Sequence, residues 1–319
     1  MRQVVAAFFL ALFFCSQSLA QPYPSKPIRI VVPFPVGGIA DIYSRLLGNR
    51  WTELWGQPVL VENRTGAGGN IGADLVAKSA PDGYTLGIGS IGTHAVNVSL
   101  FSKMPYDPVK DFAPIAPLVD ADGLLAVHPL VPAHSVPELI ALARSKPGGL
   151  TYASAGAGTA SHLAGELFKS MAKVDMIHVP YKGNVPAITD LLAGQTSLIF
   201  ATMPTVLPHT RARKLRAIAT MGDARAAATP ELPTVNESLP GFIVNNWVGL
   251  FAPAGTPPDI VNHLNAETRN FMQSKEITAR LTSEGARFVP MTPEQFGNFV
   301  KAEIAKWAPV VKASGAKAD

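Results

Sequence analysis

Apolar residues along the chain alternate between short β-branched runs and segments with helical spacing. The first run, at 28–34, is followed by a glycine turn and then by a helical pattern that Gly56 closes. Further short apolar runs predict strands at 58–62, 85–90, 124–128, 150–155, 176–181, 197–202, 214–221 and 248–252. The alternation of strands and helices predicts an α/β fold with mainly parallel sheets and helices on both faces.

Capping patterns mark several helix starts. Ser135, Thr256 and Thr292 are each followed three residues later by an acidic or amide residue, as in a capping box. The last two patterns predict two helices at the end of the chain. Pro309 is expected to end or kink the second of them.

A strand, a glycine-rich turn and a helix occur in that order at 28–55 and again at 150–172. Two domains of similar design would explain this coarse repeat. In open α/β sheets, ligands bind beyond the carboxyl ends of the strands, where a helix N-terminus and nearby glycines favour an anion. Two such turns could clamp two carboxylates without Arg or Lys, although the glycines could instead serve only as tight turns.

The first 20 residues are typical of a secretory signal peptide. They carry one charge, at Arg2, and an apolar stretch at 4–14 that is too short to cross a bilayer comfortably. We expect cleavage after Ala20 and export to the periplasm; the alternative is an uncleaved N-terminal anchor. Cys15, the single cysteine of the chain, lies in this segment, so a disulfide or a CxxC metal site is excluded from the exported protein.

Composition narrows the function further. The chain has 319 residues, 47% of them hydrophobic, which suits two domains with a sizeable core. A net charge of +4 without a basic run argues against nucleic-acid binding. The segment at 66–72 would need glycine at Ile71 to match the dinucleotide fingerprint GxGxxG, and no GxSxG or HxxxH motif is present. We therefore expect no cofactor, no metal and no catalysis.

Five segments carry a family resemblance, and their order and spacing extend over the chain from about Tyr23 to the C-terminus. They are PFPVGGIAD at 33–41, GAGGNIG at 66–72, YASAGAGT at 152–159, SHLAGE at 161–166 and HVPYKG at 178–183. Together they resemble the Bug family, the TctC-like solute receptors of tripartite tricarboxylate transporters.

The resemblance implies the type II periplasmic-binding-protein fold, with two doubly wound α/β domains joined by a two-strand hinge. Domain 1 would comprise 21–121 plus 247–319, and domain 2 would comprise 122–246. It also implies a periplasmic receptor that binds a small organic carboxylate in the cleft between the domains and delivers it to the membrane subunits of the transporter. We expect a monomer.

The family's ligand contacts fall mainly on two strand-to-helix turns, which here correspond to 34–41 and 154–161. The Asn70 loop, Ser90 and the Tyr181 loop are expected to line the cleft as well. The resulting ligand-binding candidates are Phe34, Val36, Gly37, Gly38, Ile39, Asp41, Asn70, Ser90, Ser154, Gly156, Gly158, Thr159, Ser161, His162, Tyr181, Ala201 and Thr202.

One position departs from the family pattern. Many members carry an Asp after the Phe of the strand at 197–200, whereas this chain has Ala201 followed by Thr202. The identity of the ligand therefore does not carry over from the family, and an acid without an amine is favoured. Two other functions stay open at this point: an exported hydrolase of unknown substrate, and an orphan receptor that senses a ligand.

Overall fold

The computed structural model describes residues 23–244, 246–315 and 318. Their strands form two mixed sheets, one of six strands and one of five. The predicted signal peptide and its cleavage site after Ala20 lie outside the described residues. No helix within the described ranges is both long enough and apolar enough to span a membrane.

The two sheets divide the strands by their position in the chain. The first sheet contains β1 (Ile28–Val32), β2 (Val59–Asn63), β3 (Thr85–Ser90), β4 (Phe112–Ala121), β10 (Asn246–Pro253) and β11 (Ala286–Arg287). The second contains β5 (Gly123–Val127), β6 (Thr151–Ser154), β7 (Ile177–Pro180), β8 (Leu198–Thr202) and β9 (Arg216–Thr220).

Helices connect most of these strands. They are α1 (Ile39–Trp55), α2 (Asn70–Ala77), α3 (Asn97–Leu100), α4 (Val136–Ser145), α5 (Ala160–Ala172), α6 (Asn184–Leu192), α7 (Met203–Arg211), α8 (Pro258–Met272), α9 (Lys275–Glu284) and α10 (Pro293–Ser314). A π-helical turn at Gly92–Val96 precedes α3, and short 3-10 turns lie at Ala67–Gly69 and Val235–Glu237.

The two sheets share one topology. The first has the order β11-β4-β10-β3-β1-β2 and the second has the order β7-β6-β8-β5-β9. Strands β1 and β6 occupy equivalent places, since each pairs in parallel with the strand that follows it and with the next one along the chain. The coarse repeat predicted from the sequence is therefore confirmed, and the turns after β1 and β6 are topologically matched.

The sheets are less parallel than the sequence suggested. In the first sheet β10 runs antiparallel to both β3 and β4, and in the second β5 runs antiparallel to both β8 and β9. The reason is connectivity: the chain crosses from the first sheet to the second at Asp122 and returns before Asn246. Strand β5 therefore directly follows a strand of the first sheet, and β10 follows a strand of the second. The boundaries predicted at 121/122 and 246/247 lie close to these crossings and remain predictions.

Local sequence accounts for the first helix. Tyr43, Leu47 and Trp51 recur at helical spacing and are fully buried in the same cluster as Ile28 of β1. The backbone N–H of Gly56 donates to Thr52 O, and Gly56 adopts the left-handed conformation that ends the helix. The helix is thus placed with its N-terminus at the carboxyl end of β1.

Some helix predictions were wrong in detail. Three helices end the chain instead of two, because Ser274 caps a separate helix α9 directly after α8. Thr256 does not cap α8, since its hydroxyl donates to Pro253 O, and α8 starts without a side-chain cap. The capping box at Thr292 is confirmed, but Pro309 lies inside α10 without ending it.

The cap at α4 is half of the predicted box. The Ser135 hydroxyl accepts from the Glu138 backbone N–H at 3.3 Å, whereas the Glu138 carboxylate accepts from the His134 N–H. The helix therefore begins where the sequence predicted, but the Glu138 carboxylate accepts from the N–H of His134 instead of that of Ser135.

The long helix α10 joins the two halves of the molecule. It packs on β4, on the π-helical turn and on α3 of the first half, and also on α5 of the second. Its buried Phe296 and Trp307 belong to one apolar cluster with Tyr152 and Phe168 of the second half. Burial of these large rings stabilises the present arrangement of the halves.

Candidate ligand-binding site

A cavity of about 80 Å³ lies between the two sheets, where the carboxyl ends of β1, β3, β6 and β8 meet. It is small compared with the roughly 300–1,000 Å³ of pockets that hold drug-sized ligands. Its lining residues are Phe34, Pro35, Gly38, Ile39, Ala40, Ser90, Ile91, Gly92, Ala155, Thr159, Ala160, Ser161, Gly183, Asn184, Val185, Thr202, Asn246, Trp247 and Val248. None of these described lining residues carries a formal charge.

The turn after β1 forms the first wall. Gly38 is the N-cap of α1, and Ile39 and Ala40 are its first helical residues. The first backbone N–H groups of an α-helix have no partner within the helix, and the helix dipole places partial positive charge there. This wall therefore presents N–H groups rather than cationic side chains.

Asp41 supports this wall from behind. Its carboxylate accepts from the Gly37 N–H at 3.0 Å and from Asn63 Nδ2 at 3.0 Å, and it pairs with Arg45 at 2.8 Å. Burial alone would raise the pKa of the Asp41 carboxyl, but the hydrogen bonds from Arg45, Gly37 and Asn63 hold it below its usual value. Asp41 thus stays ionised and engaged within its own domain.

The turn after β6 forms the second wall, and its side chains bond its own backbone. Thr159 caps α5, and its hydroxyl donates to Gly156 O at 2.7 Å. The Ala155 N–H donates to Ser161 Oγ at 2.8 Å, and the Gly156 N–H donates to Ser154 Oγ at 3.1 Å. These bonds fix the turn before any ligand enters it.

Two stacked imidazoles lie behind the second wall. The rings of His162 and His178 are 4.2 Å apart, His162 Nδ1 accepts from the Gly158 N–H at 3.2 Å, and His178 Nε2 lies 2.6 Å from Ser154 Oγ. Burial lowers the pKa of His162, and burial together with the neighbouring His162 lowers the pKa of His178 to about 4. Both rings are therefore neutral at pH 7 and support the turn.

A third helix N-terminus, after β7, also reaches the cavity. Gly183 is the N-cap of α6, and Asn184 and Val185 line the cavity with it. Asn184 Nδ2 donates to Thr202 Oγ1 at 3.3 Å, while Asn184 Oδ1 is buried without a partner. A buried polar atom without a partner is costly, so this oxygen is available to a ligand or a water molecule.

Strand β10 completes the enclosure. It pairs with β3 in the register Val248–Ser90, which brings Asn246 and Trp247 to the cavity. Asn246 Nδ2 is buried without a hydrogen-bond partner. The Trp247 ring supplies an apolar face for a carbon skeleton.

The two sides of the cleft are in contact at their rims. A Cβ atom built on Gly183 would lie 2.7 Å from Pro35 Cδ, and one built on Gly68 would lie 2.6 Å from Ala157 O. Such approaches leave no room for a side chain. The structure is therefore a closed form, with the cavity between the two halves.

The structure separates the predicted site residues into two groups. Those that line the cavity are Phe34, Gly38, Ile39, Ser90, Thr159, Ser161 and Thr202. Those outside its lining are Val36, Gly37, Asp41, Asn70, Ser154, Gly156, Gly158, His162, Tyr181 and Ala201. Ligand contact itself stays a prediction for both groups.

Three residues outside the lining are a hydrogen-bonded side chain, a core side chain and an exposed one. Tyr181 donates its hydroxyl to Asp190 at 2.8 Å, and Ala201 packs inside the apolar cluster of the second half. Val36 is 62% exposed. The position that departs from the family pattern is therefore a core position in this chain, and Thr202 next to it faces the cavity.

The site residues predicted from the sequence do not include Asn184, Val185, Asn246 and Trp247, which also line the cavity. The glycine at 183 follows the strand predicted at 176–181, so the same strand-to-glycine pattern could have indicated Asn184. Nothing local indicates the part played by Asn246 and Trp247, because β10 joins the first sheet from the far end of the chain. Among the described residues, no group of three His, Cys, Asp or Glu side chains is arranged to hold a metal ion.

Comparison with known proteins decides the family. Residues 44–316 match the model of the tripartite tricarboxylate transporter family receptors, TctC. The chain belongs to this family.

Relatives of these TctC receptors align over nearly the whole chain. Protein BugT of Bordetella pertussis is 38% identical over 315 residues, which cover 97% of each chain. A Rhodopseudomonas palustris structure solved with adipate has a TM-score of 0.89 at 38% identity, covering 92% of this chain and 98% of its own. MatC from Rhodopseudomonas palustris, solved with bound malate, has a TM-score of 0.86 at 36% identity, covering 91% and 100%. The predicted type II periplasmic-binding-protein fold is confirmed.

Proposed function

We propose that this receptor binds a small organic carboxylate in the cavity between its two sheets. It does so in the periplasm, without catalysing a reaction, and passes the ligand to the membrane subunits of a tripartite transporter. The chain acts as a single subunit.

One observation carries this proposal: three helix N-termini meet at a cavity whose described lining is uncharged. Residues of the first turns of α1, α5 and α6 all line it. Each helix start is equivalent to about +0.5 elementary charge and offers unpaired N–H groups. Inside a closed cleft the local dielectric is low, which strengthens these interactions with an anion.

The remaining lining suits the rest of such a ligand. Phe34, Ile91 and Trp247 offer apolar surface for a short carbon chain, and Ser90 and Thr202 offer hydroxyl groups. Two relatives at 36–38% identity were solved with adipate and malate, both of which are dicarboxylates. We infer a dicarboxylate or hydroxy acid as the ligand.

A hydrolase would need a nucleophile that reaches the ligand. Ser154 Oγ and His178 Nε2 are within hydrogen-bond distance, as a nucleophile and base would be. Ser154 is fully buried, however, and is absent from the cavity lining. The pair therefore supports a structural role, and the receptor function is preferred over the hydrolase.

Calorimetric titration of the purified protein with adipate, malate, propionate and glutamate tests the proposal. We expect adipate or malate to bind at micromolar concentrations or below. At about 100 times Kd the bound ligand should stabilise the fold by about 2.7 kcal/mol, seen as a higher Tm. Absence of binding by all four acids, together with turnover of ester substrates, would overturn the receptor function in favour of a hydrolase.

A further inference from the structure

The turn after β6 is bound from the opposite domain by a side chain that lies outside the cavity lining. Asn97, the first residue of α3, is fully buried, and its amide lies beside the carbonyl oxygens of Gly92 and Gly158 at 3.3 and 3.2 Å. Two oxygen acceptors cannot bond to each other, so the end of the amide that faces these carbonyls is its NH2 group. Asn97 therefore donates to Gly158 across the interdomain boundary.

Tyr106 and Asn70 support this orientation, which gives up only a weak 3.4 Å contact between the other end of the Asn97 amide and Gly68 O. Tyr106 has one hydroxyl hydrogen, and Thr93 O, an acceptor only, lies 2.8 Å from that hydroxyl. The atom of the Asn70 amide that lies 2.8 Å from the same hydroxyl must then be its nitrogen. That nitrogen also lies 2.7 Å from the Asn97 amide, to whose oxygen it donates.

The result is a continuous buried chain of hydrogen bonds. It runs from Asn70 to Asn97 and from Asn97 to Gly158 O, and each hydrogen on it has an acceptor. Asn70, Asn97 and Tyr106 belong to the first half, whereas Gly158 belongs to the second. The Gly158 N–H is already held within its own half by His162. The bond from Asn97 is therefore made only when the two halves come together.

We propose that Asn97 is an interdomain positioning residue that stabilises the closed form and, with it, the grip on the ligand. This proposal rests on the function proposed above, because only a receptor that closes on its ligand gains affinity from such a bond. The apparent Kd equals the intrinsic Kd divided by the fraction of closed molecules. Losing a bond of this kind should therefore weaken binding by about tenfold without any lost contact to the ligand.

The variant Asn97→Asp tests the proposal. It keeps the oxygen that accepts from Asn70 but places a second oxygen against Gly92 O and Gly158 O. The matched control is Tyr106→Phe, which removes the hydroxyl bonds to Thr93 O and to the Asn70 amide, both within the first half, and leaves the Asn97 amide intact. We expect Asn97→Asp to raise the Kd for adipate or malate at least tenfold, through faster dissociation, and Tyr106→Phe to leave it within about twofold. Asn97→Ala serves in the same assay if Asn97→Asp does not fold.

A distance measurement separates failure of this proposal from failure of the proposed function. The only cysteine of the chain lies in the predicted signal peptide, so Leu60→Cys and Ile177→Cys, both exposed, can carry a spin-label pair on opposite halves. We expect Asn97→Asp to shift the interlabel distances to longer values and Tyr106→Phe to leave them unchanged, whether or not a ligand has been identified. Unchanged distances in Asn97→Asp, or an equal loss of affinity in both variants, would overturn the positioning role.

Discussion

Trp247 on the cavity wall donates its indole N–H to Glu303 Oε2 of helix α10 at 3.1 Å. The indole of Trp307 donates to the same oxygen at 3.2 Å, and Lys306 pairs with the other carboxylate oxygen at 3.1 Å. A buried carboxylate is tolerated when it has several donors of this kind. The C-terminal helix thereby fixes the plane of the ring that faces the ligand cavity.

Removing the Glu303 carboxylate should therefore destabilise the protein. Glu303→Leu leaves two buried indole N–H groups without an acceptor, so we expect the free energy of unfolding to fall by about 2–4 kcal/mol in urea titrations. Glu303→Gln keeps one acceptor oxygen and should lose less. Glu294→Gln, at an exposed position of the same helix, should stay within about 0.5 kcal/mol of the wild type. Equal stability of Glu303→Leu and the wild type would contradict this assignment.

Bulk at Gly38 should block the ligand while sparing the fold. Gly38 has φ −79° and ψ 166°, which valine adopts readily, and a Cβ there would meet no atom closer than Pro35 O at 3.7 Å. Gly38→Val should thus lower ligand affinity at least 100-fold in calorimetry, at a stability loss of about 1 kcal/mol for the changed N-cap.

Of two other variants, Gly158→Val is unsuitable as a second test and Lys214→Ala is a suitable control. Gly158→Val is a poor test, because Gly158 has φ +80° and a Cβ there would lie 2.2 Å from the Asn97 side chain. Gly158→Val should therefore lower the stability of the protein more than a substitution in an exposed turn would. Lys214→Ala, in an exposed position outside the cavity lining, should keep wild-type affinity. If Lys214→Ala lost binding and Gly38→Val kept it, the anion site would be misplaced.

Local signals in the sequence were enough to predict the two matched turns. Glycines directly after a β-branched run and before a helical pattern occur at 37–38 and 156–158, and both turns do reach the cleft. The same reasoning also named residues that lie outside the cavity lining. Ser154, His162 and Asp41 are polar and lie at the turns, yet each bonds the backbone of its own turn. Spacing alone cannot tell a residue that supports a turn from one that meets a ligand.

The parts that the sequence left unpredicted depend on tertiary assembly. Helix α9 follows α8 after two residues, so their apolar patterns merge and the cap at Ser274 is easily overlooked. Helix α7 contains Pro208, which argues against a helix in any local analysis. Asn246 and Trp247 reach the cavity only through the antiparallel pairing of β10 with β3.

The uncharged lining predicts selection against amino acids. An ammonium group buried without a carboxylate partner is strongly unfavourable. We expect malate or adipate to bind at least 100-fold more tightly than aspartate or glutamate in calorimetry. Thr202→Asp places a carboxylate at the cavity, so it should weaken dicarboxylate binding by repulsion. The difference in affinity between the dicarboxylates and the amino acids should therefore become smaller.

Ala201→Asp provides the matched comparison, because it adds the same group one residue earlier in the core of the second half. It should lower stability and leave the preference for amine-free acids unchanged. Asp120 and Asp122 near the domain crossing both pair with Arg287, so they are engaged there. Submicromolar binding of glutamate, with the plain acids inert, would overturn this specificity.

The stability of the protein should fall as the pH drops below 6.5, in part because of His94. This side chain is fully buried among aromatic rings, with Phe251 stacked at 4.1 Å, and burial lowers its pKa from 6.5 to about 3. Between these two values the unfolded chain binds a proton that the folded chain does not. The free energy of unfolding then decreases with falling pH by up to about 1.4 kcal/mol per pH unit from this residue, and the effect vanishes above pH 6.5.

His94→Phe should remove this share of the pH dependence, because a phenyl ring fits the same aromatic surroundings and cannot be protonated. Urea titrations from about pH 7 down to pH 4 should show a shallower decline for His94→Phe than for the wild type. His162 and His178, whose pKa values are lowered as well, keep the remaining slope above zero. His134→Asn, at an exposed position, should reproduce the wild-type slope. The prediction follows from the burial of the imidazole among Phe112, Tyr106 and Phe251, which disfavours its protonated form in the folded chain. Parallel declines for His94→Phe and the wild type would contradict it, because they would mean that His94 is protonated equally in the folded and unfolded chains.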